Sequence, residues 1–433
     1  MTSRDVSRRS VISLFSGAGG LDLGLEAAGF DILAQVEMDL DCVGTLRRQA
    51  KNRVKKTRVM GSRLEDLTPG QVLDDLGLSK GDLTLLAGGP PCQPFTTSGR
   101  RQGLQDARAT TLFPAYLKWV DELDPHALLI ENVDGILSAA LLHRPLVERG
   151  PSWPWNAEPE ERKGSFLKWL LDELRLRRYT ISWGIAEAAD YGVPQMRQRA
   201  VLIAVKGSDP CWLPQPSFGG PGQPPFSTLR EALSDVQSLG AVQPLSERKK
   251  EVYRRIPPGG NWRDLPEEIK KETMGQAYIA TGGKSGWWRR LAWDKPSATI
   301  LGMPDHSSTA LIHPDEIRCL SVNECAALQS FPRGTEFSGR PRSQYQQIGN
   351  AVPPLLGQAL GVQLAGFLDG QREDEQPPVP AWRQASANRR PGTHGWTVAE
   401  EYHLHVQIRP DHIWAVYDVE TPSESRSARK QRR

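Results

Sequence analysis

Val11-Ile12-Ser13-Leu14-Phe15-Ser16-Gly17-Ala18-Gly19-Gly20 decides the architecture. A short apolar run ends in a cluster of small residues, the pattern of a buried strand entering a tight turn. Residues 21–28 then carry helical spacing and stop at Gly29. Working outward, residues 32–36, 83–87, 127–130, 179–185 and 200–205 read as further strands, with a helix at 112–123. Strands separated by helices imply an α/β fold, a Rossmann-like doubly wound sheet with parallel pairing. In such sheets ligands sit outside the carboxyl ends of the strands. The chemistry is therefore expected in the turns after Phe15, Val36, Ala87 and Ile130.

The chain has 433 residues, 38% hydrophobic and 24% charged, enough for two or three domains at ~150 residues each. No apolar run approaches the ~18–20 residues of a membrane span, so no membrane association is expected. The first ten residues, MTSRDVSRRS, lack an apolar core, which argues against secretion and for a cytoplasmic protein. Five cysteines, at 42, 92, 211, 319 and 325, are odd in number and scattered, against a disulfide framework. No pair has CxxC spacing, and no metal is expected. A net charge of +3 permits nucleic-acid binding without demanding it.

Composition changes near residue 207. From 207 to 316, Pro and Gly are frequent, and Trp and Arg interleave, as in Asn261-Trp262-Arg263 and Trp287-Trp288-Arg289-Arg290. Helical spacing returns at 316–328 and 355–368. From about 371 the chain is polar and Pro-rich, with a possible hairpin at 402–419 and a basic end at 426–433. The expected division is 1–206 as the first part of a catalytic domain, 207–343 as a recognition region with its connecting helix, 344–370 as a return to the catalytic domain, and 371–433 as a partly disordered extension.

The glycine turn is neither GxGxxG, since Asp22 stands where the third glycine would be, nor a phosphate-binding loop. Alone it is compatible with a tight turn holding no ligand. Glu37, twenty residues after Gly17 at the end of the second strand, can accept the hydroxyls of a ribose. A nucleoside without phosphates fits this pair, and a sulfonium such as S-adenosyl-L-methionine suits acidic neighbours. Cys92 lies in Gly88-Gly89-Pro90-Pro91-Cys92-Gln93-Pro94-Phe95, where the flanking glycines and prolines argue for a rigid mount over a core filler. Glu131 ends the strand LLI, a costly place for a carboxylate that is neither used nor paired. Arg197 and Arg199 in Gln195-Met196-Arg197-Gln198-Arg199 alternate on an extended segment and so share a side; a surface charge pair is the plain alternative. Asn350 in Gly349-Asn350-Ala351-Val352-Pro353-Pro354 reads, by itself, as a cap.

Taken in order, Phe-x-Gly-x-Gly, Pro-Pro-Cys-Gln, Glu-Asn-Val, Gln-x-Arg-x-Arg, the segment 318–332 and Gly-Asn-Ala-Val-Pro-Pro resemble the signature motifs of the DNA (cytosine-5)-methyltransferase family, from residue 11 to about 369. The resemblance implies a Rossmann-like catalytic domain with an inserted, smaller target-recognition domain. It implies Cys92 as nucleophile, Glu131 as proton donor to the cytosine ring, and Arg199 with Arg197 on the O2 carbonyl and a phosphate. The implied positions for the S-adenosyl-L-methionine cofactor are Phe15, Gly17, Gly19, Glu37, Met38, Asp66, Asn350 and Val352. Gln195 and Thr299 are the implied substrate contacts. The implied partner is double-stranded DNA, with the target base flipped out of the duplex, and a cognate restriction endonuclease that shares the site without being bound; the enzyme is expected to be a monomer. Two other readings are methylation of structured RNA, whose family branch carries a Cys-Phe-Thr element not found here, and a DNA-binding regulator without catalysis, against which Cys92, Glu131 and Arg199 speak.

Overall fold

The computed structural model describes residues 9–53, 56–90, 107–142, 144, 148, 157–207, 209–236, 240–279, 286–371 and 415–416. Its strands are β1 (Ser10–Leu14), β2 (Asp31–Glu37), β3 (Arg58–Gly61), β4 (Leu85–Gly88), β5 (Ala127–Asn132), β6 (Tyr179–Glu187), β7 (Gln195–Met196), β8 (Gln198–Lys206), β9 (Ser297–Ala298) and β10 (Ala415–Val416). The helices of the first half are α1 (Gly20–Ala27), α2 (Leu40–Lys51), α3 (Pro69–Leu76), α4 (Ala107–Leu123) and α5 (Ser165–Leu176). Those of the second half are α6 (Leu229–Leu233), α7 (Glu247–Arg254), α8 (Glu267–Met274), α9 (Gln276–Ile279), α10 (Val322–Leu328), α11 (Pro341–Asn350) and α12 (Pro354–Leu368).

One sheet runs β10-β6-β8-β5-β4-β1-β2-β3, and β7 pairs with β9 in a separate two-stranded ribbon. Strands β1 to β5 pair in parallel, as strands joined by helices must. The expected parallel pairing fails at β8, which lies antiparallel between β5 and β6. The reason is connection length. Only residues 188–197 separate β6 from β8, too few for the crossover that a parallel neighbour needs. The short edge strand β3 escapes the sequence pattern because its four residues, Arg-Val-Met-Gly, are exposed or half-buried and do not alternate.

Alternation along the strands gives two cores. Ile12, Leu14, Leu86, Leu128 and Ile130 face Val72, Phe113, Tyr116, Phe166 and Leu170 on one side. Val11, Leu85, Ala87, Ala127 and Leu129 face Leu21, Leu25, Leu356, Leu360 and Leu364 on the other. Each such side chain removed from water stabilises the fold by about 1.5–3 kcal/mol before entropy is counted. On the second side α12 sits backbone to backbone against α1. A methyl group built on Gly20 would lie 2.1 Å from the Val352 carbonyl oxygen, and one on Gly24 2.3 Å from that of Pro354. Glycine is therefore required at both positions for space. Residues 341–368 are apolar and long enough to cross a membrane, but most of the apolar window is buried here as core.

Between 207 and 316 short helices surround a separate cluster of Leu245, Val252, Tyr253, Ile256, Leu265, Trp288 and Ile312. A further cluster, including Ala18, Ile300, Leu328, Ile348 and Ala351, joins this region to the sheet. The helix expected from 316 begins only at Val322. Ser321 accepts from the Glu324 amide and Glu324 reaches back to Ser321, a capping box that sets the start. The expected hairpin at 402–419 lies largely outside the described residues; within it, Ala415 and Val416 pair antiparallel with β6. The basic end at 426–433 lies outside them too.

Candidate active site at the carboxyl ends of the parallel strands

The turn after β1 is held in left-handed backbone. Phe15, Gly17 and Gly19 have φ of 55°, 54° and 76°. A side chain at Gly17 would meet nothing within 4 Å, so this glycine answers to backbone conformation, and the space above it is open. Glu37 ends the neighbouring β2 and binds the turn directly. Its Oε2 accepts from the Gly17 amide at 2.8 Å, and its Oε1 accepts from the Met38 and Asp39 amides, each at 2.8 Å. The apolar Met38 side chain stands 66% exposed beside it. From the opposite side, the turn after α11 closes on α1 through the Val352 carbonyl, with Asn350 exposed as the last residue of α11. Asp66 is exposed on a helical turn beyond the end of β3, whose last residue, Gly61, is in register with Glu37. The structure thus joins Gly17 to Glu37, with Met38 exposed beside them; Gly19 packs against Leu46 and Gln49 of α2, and Val352 is buried in the core against α1.

Beneath that turn lies a buried polar chain that sequence reasoning did not find. Gln35 donates to Asp22 at 2.5 Å, Arg53 donates to Gln35 at 2.9 Å, and Arg53 pairs with Glu26 at 2.5 Å. Burial pushes the Asp22 carboxyl up from its ordinary value. Asp22 reads in sequence only as the residue in place of a third glycine, and nothing local to it announces its partners.

Two strands away, β4 and β5 deliver the second set. Asn132 donates to the Pro90 carbonyl at 2.8 Å, anchoring the turn after β4 to the end of β5. A methyl group on Gly89 would lie 3.2 Å from Glu131 Oε2, so turn and carboxylate are in contact. Cys92 itself lies outside the described residues; it follows Pro90 by two positions. Glu131 is buried, and Arg199 Nε meets its Oε1 at 2.9 Å. Burial raises the Glu131 carboxyl above the ordinary range, and the Arg199 and Arg197 charges pull it back only in part. A buried carboxyl beside a cation can hold a proton and then release it as a neighbour changes charge.

Arg197 and Arg199 do not share a task. Arg199 turns to Glu131, whereas Arg197 is fully buried and donates to the carbonyls of Ile300 at 3.0 Å, Gly349 at 2.8 Å and Ala351 at 2.8 Å. The expected alternation is interrupted at Arg197, which separates β7 from β8. Gln195 is likewise buried and accepts from the Ile300 amide at 2.8 Å. Thr299 donates to the Met196 carbonyl at 2.8 Å and is half-buried. Gln329, which sequence reading passed over inside the segment 318–332, is buried among these groups and donates to the Ile348 and Ala351 carbonyls at 3.0 and 2.7 Å. Its one local signal is a polar residue between Leu328 and Phe331.

In the loop-rich region, Asn261 caps the helical turn 262–264, and Trp262 is flanked by Arg263 at 4.8 Å and Lys270 at 5.9 Å. Arg290 is buried, with its guanidinium on the carbonyls of Ile256 and Pro314. Among the described residues no group of three or more His, Cys, Asp or Glu is placed to hold a metal ion.

The family model described as C-5 cytosine-specific DNA methylase matches residues 9–144 and 159–365. The type II methyltransferase M.Sau96I of Staphylococcus aureus is 35% identical over 83% of this chain and 76% of its own length. The type II methyltransferase M.Eco47II of Escherichia coli is also 35% identical, over 83% of this chain and 79% of its own. Among solved structures, a prophage-encoded DNA modification methyltransferase of E. coli superposes with a TM-score of 0.54 at 22% identity, covering 83% of this chain and 99% of that one. A DNMT2 variant of Spodoptera frugiperda gives 0.52 at 15% identity, covering 82% and 99%. These two show a shared Rossmann-like methyltransferase fold. The chain belongs to the C-5 cytosine-specific DNA methylase family and is a DNA cytosine-5 methyltransferase.

Proposed function

We propose that this enzyme methylates C5 of a cytosine flipped out of a specific duplex sequence, through a transient bond between the Cys92 sulfur and C6. The observation that carries this reading is the buried Glu131, held by Arg199 at 2.9 Å and in contact with the turn that leads to Cys92. C5 of cytosine is a poor nucleophile. Addition of the Cys92 thiolate to C6 forms a C–S bond and pushes electrons into the ring, and Glu131 supplies a proton at N3 to accept them. C5 then has enamine character. Arg199 stabilises charge on the O2 carbonyl. S-adenosyl-L-methionine, when bound, supplies an electrophilic methyl group on a sulfonium. After methylation a base removes the C5 proton, the C–S bond breaks, N3 returns its proton to Glu131, and the Cys92 thiolate is regenerated.

The opening around the glycine turn fits that donor. It has a carboxylate rim at Glu37, an apolar Met38 face and open space over Gly17, and it lacks a phosphate cradle. Phe15, Gly17 and Gly19 would hold the methionine and adenosine, Glu37 the ribose and Asp66 the adenine amine, with Asn350 and Val352 closing the far side. Thr299 would approach the DNA beside the target base. Gln195 and Arg197, buried on backbone groups, would act from behind the surface that touches substrate. Residues 1–206 and 344–370 would form the catalytic domain and 207–343 the recognition region. The kinship with type II methyltransferases supports a role in restriction-modification, with a cognate endonuclease reading the same site, in the cytoplasm and on the nucleoid. Extruding the base costs a few kcal/mol, which contacts in the cleft must offset.

The test is methylation of duplex DNA with a labelled donor, followed by bisulfite sequencing. The expected result is 5-methylcytosine at one sequence, a trapped covalent adduct with a 5-fluorocytosine duplex, and loss of both in Cys92→Ala. Methylation retained in that variant overturns the nucleophile, and a preference for structured RNA over duplex overturns the substrate.

A further inference from the structure

Three side chains with no exposed surface meet where three distant segments converge. Gln195 Oε1 accepts from the Ile300 amide at 2.8 Å, and Arg197 donates to the Ile300 carbonyl at 3.0 Å, so both backbone groups of Ile300 are held by side chains of one strand segment. Gln195 Nε2 donates to Gln329 Oε1 at 2.5 Å. Gln329 Nε2 donates onward to the carbonyls of Ile348 and Ala351, and Ala351 also accepts from Arg197. These carbonyls lie at the end of α11, where the last carbonyls run out of helical partners; that of Ile348 also accepts the Ala351 amide at 3.3 Å. Among the described residues, the Gln329 amide and the Arg197 guanidinium are thus the two side-chain groups that tie the Gln195 side to the α11 side.

What leaves this junction matters. Thr299 and the exposed Leu301 flank Ile300 toward the recognition region. Asn350 and Val352 flank Ala351 toward the donor opening, where the Val352 carbonyl presses on Gly20. Arg199 leaves the same strand segment for Glu131. A core that only had to exclude water would use apolar side chains here. Burying a guanidinium and two amides is costly unless their bonds are made; here all but Arg197 Nε find partners, and so connected a network favours one arrangement.

We propose that Gln329 is a positioning residue which, with Gln195 and Arg197, locks segment 299–301 to the turn 348–352, so that the DNA-facing and donor-facing walls of the cleft keep one fixed separation. The inference rests on the proposed mechanism, since a fixed separation matters only if base and methyl donor must meet. Small misplacements of reacting groups cost large factors in rate, about 10–100-fold for shifts near 1 Å.

The first test is Gln329→Met, which keeps volume and removes both donors. The expected result is a fall in kcat of about 10–100-fold, with binary affinities for duplex DNA and for S-adenosylhomocysteine retained. Unchanged kcat, or loss of kcat in step with both affinities, overturns the proposal. The second is Gln329→Glu. A buried carboxyl facing two carbonyls is driven toward its neutral form, which can donate one hydrogen bond. The ratio of variant to wild-type kcat should rise as pH falls from about 8.5 to about 6, and a flat ratio counts against the junction. Should neither variant fold, hydrogen exchange on the wild type decides. S-adenosylhomocysteine binding should slow exchange of the Ile300 amide, and an unchanged rate overturns the coupling. Failure of the mechanism would show separately, as absence of the 5-fluorocytosine adduct in the wild type.

Discussion

Arg197 and Arg199 stand two residues apart and mark two kinds of buried charge. Arg199 pairs with Glu131, at what is proposed as the reacting end. Arg197 lies in the junction behind it; its amide donates to the Glu187 carboxylate, but its guanidinium is turned to three backbone carbonyls. Burial first, and the nearby Arg199 charge second, drive its pKa well below the usual arginine range, with the Glu131 charge opposing them. The difference teaches that burial does not identify a catalytic charge. What separates the two is the partner: an ionisable group whose proton can move, against backbone that cannot change state.

The sharpest way to break this comparison is at Glu131. If it is the group that changes state, Glu131→Gln should cut kcat by about 10²–10⁴-fold, the usual worth of a positioned acid or base, with donor affinity retained in equilibrium binding. The stability profile carries the sign of the shift. A carboxyl raised by burial contributes stability that is fully present below its ordinary value of 4.5 and is lost as pH rises through the higher folded value. Urea unfolding of the wild type relative to Glu131→Gln should therefore show a relative loss of stability with rising pH across that window. A pH-independent difference would mean that Glu131 does not titrate differently when folded.

Arg197 gives the converse. Arg197→Met leaves the carbonyls of Ile300, Gly349 and Ala351 without this donor, and each buried group so orphaned costs about 1–3 kcal/mol. Gln329 still serves Ala351, so the expected loss is at the lower end of that sum, on the order of 3 kcal/mol, read as a shift in the urea midpoint. A variant that folds normally yet loses adduct formation would move Arg197 into the reacting set.

The same contrast explains what was legible in the sequence. The parallel strands, the glycine turn and Glu131 announce themselves because each is a local pattern: an apolar run, small residues, a charge at a buried strand end. Glu37 is legible by its distance from the turn. The antiparallel β8 is written in its ten-residue connection from β6, too short for a parallel crossover. Gln329, Asp22 and Asn132 were not legible. Each acts on a backbone or side-chain group brought near by tertiary folding, and an isolated Gln, Asp or Asn carries no mark of its partner. Asn132 appears in Glu-Asn-Val as a companion of the glutamate, but its bond to Pro90 depends on how β4 and β5 end together. Arg197 was legible as a charge and not as a buried one, since alternation along an extended segment cannot foresee the break between β7 and β8.

A milder test separates the two uses of glycine. Gly20→Ala puts a methyl group 2.1 Å from the Val352 carbonyl oxygen, in a backbone contact that cannot yield cheaply, and should cost about 1–3 kcal/mol by overpacking. Gly17→Ala meets open space but forces an alanine to a φ of 54°, at about 1–2 kcal/mol. Its added methyl group also points into the space proposed for the donor. The first variant should lose stability with donor affinity retained per folded molecule, and the second should lose donor affinity as well. Equal donor affinity in the two would place the opening elsewhere.

The smallest effect concerns the loop-rich region, where the comparison can be carried from Arg197 to Arg290. Both guanidiniums are buried on backbone carbonyls, Arg290 on those of Ile256 and Pro314. Arg263 is exposed beside Trp262, held by stacking at 4.8 Å with its charge open to solvent. Phosphate contacts appear as the slope of log affinity against log salt, with about 0.9 lost for each contact removed. Arg263→Ala should lower that slope by about 0.9 if the region faces the duplex as proposed. Arg290→Ala should leave it unchanged while lowering the unfolding midpoint. A slope that falls with Arg290 instead would mean that DNA binding opens this core and draws the buried arginine out, and then burial in the free protein would be a poor guide to which charges meet phosphate.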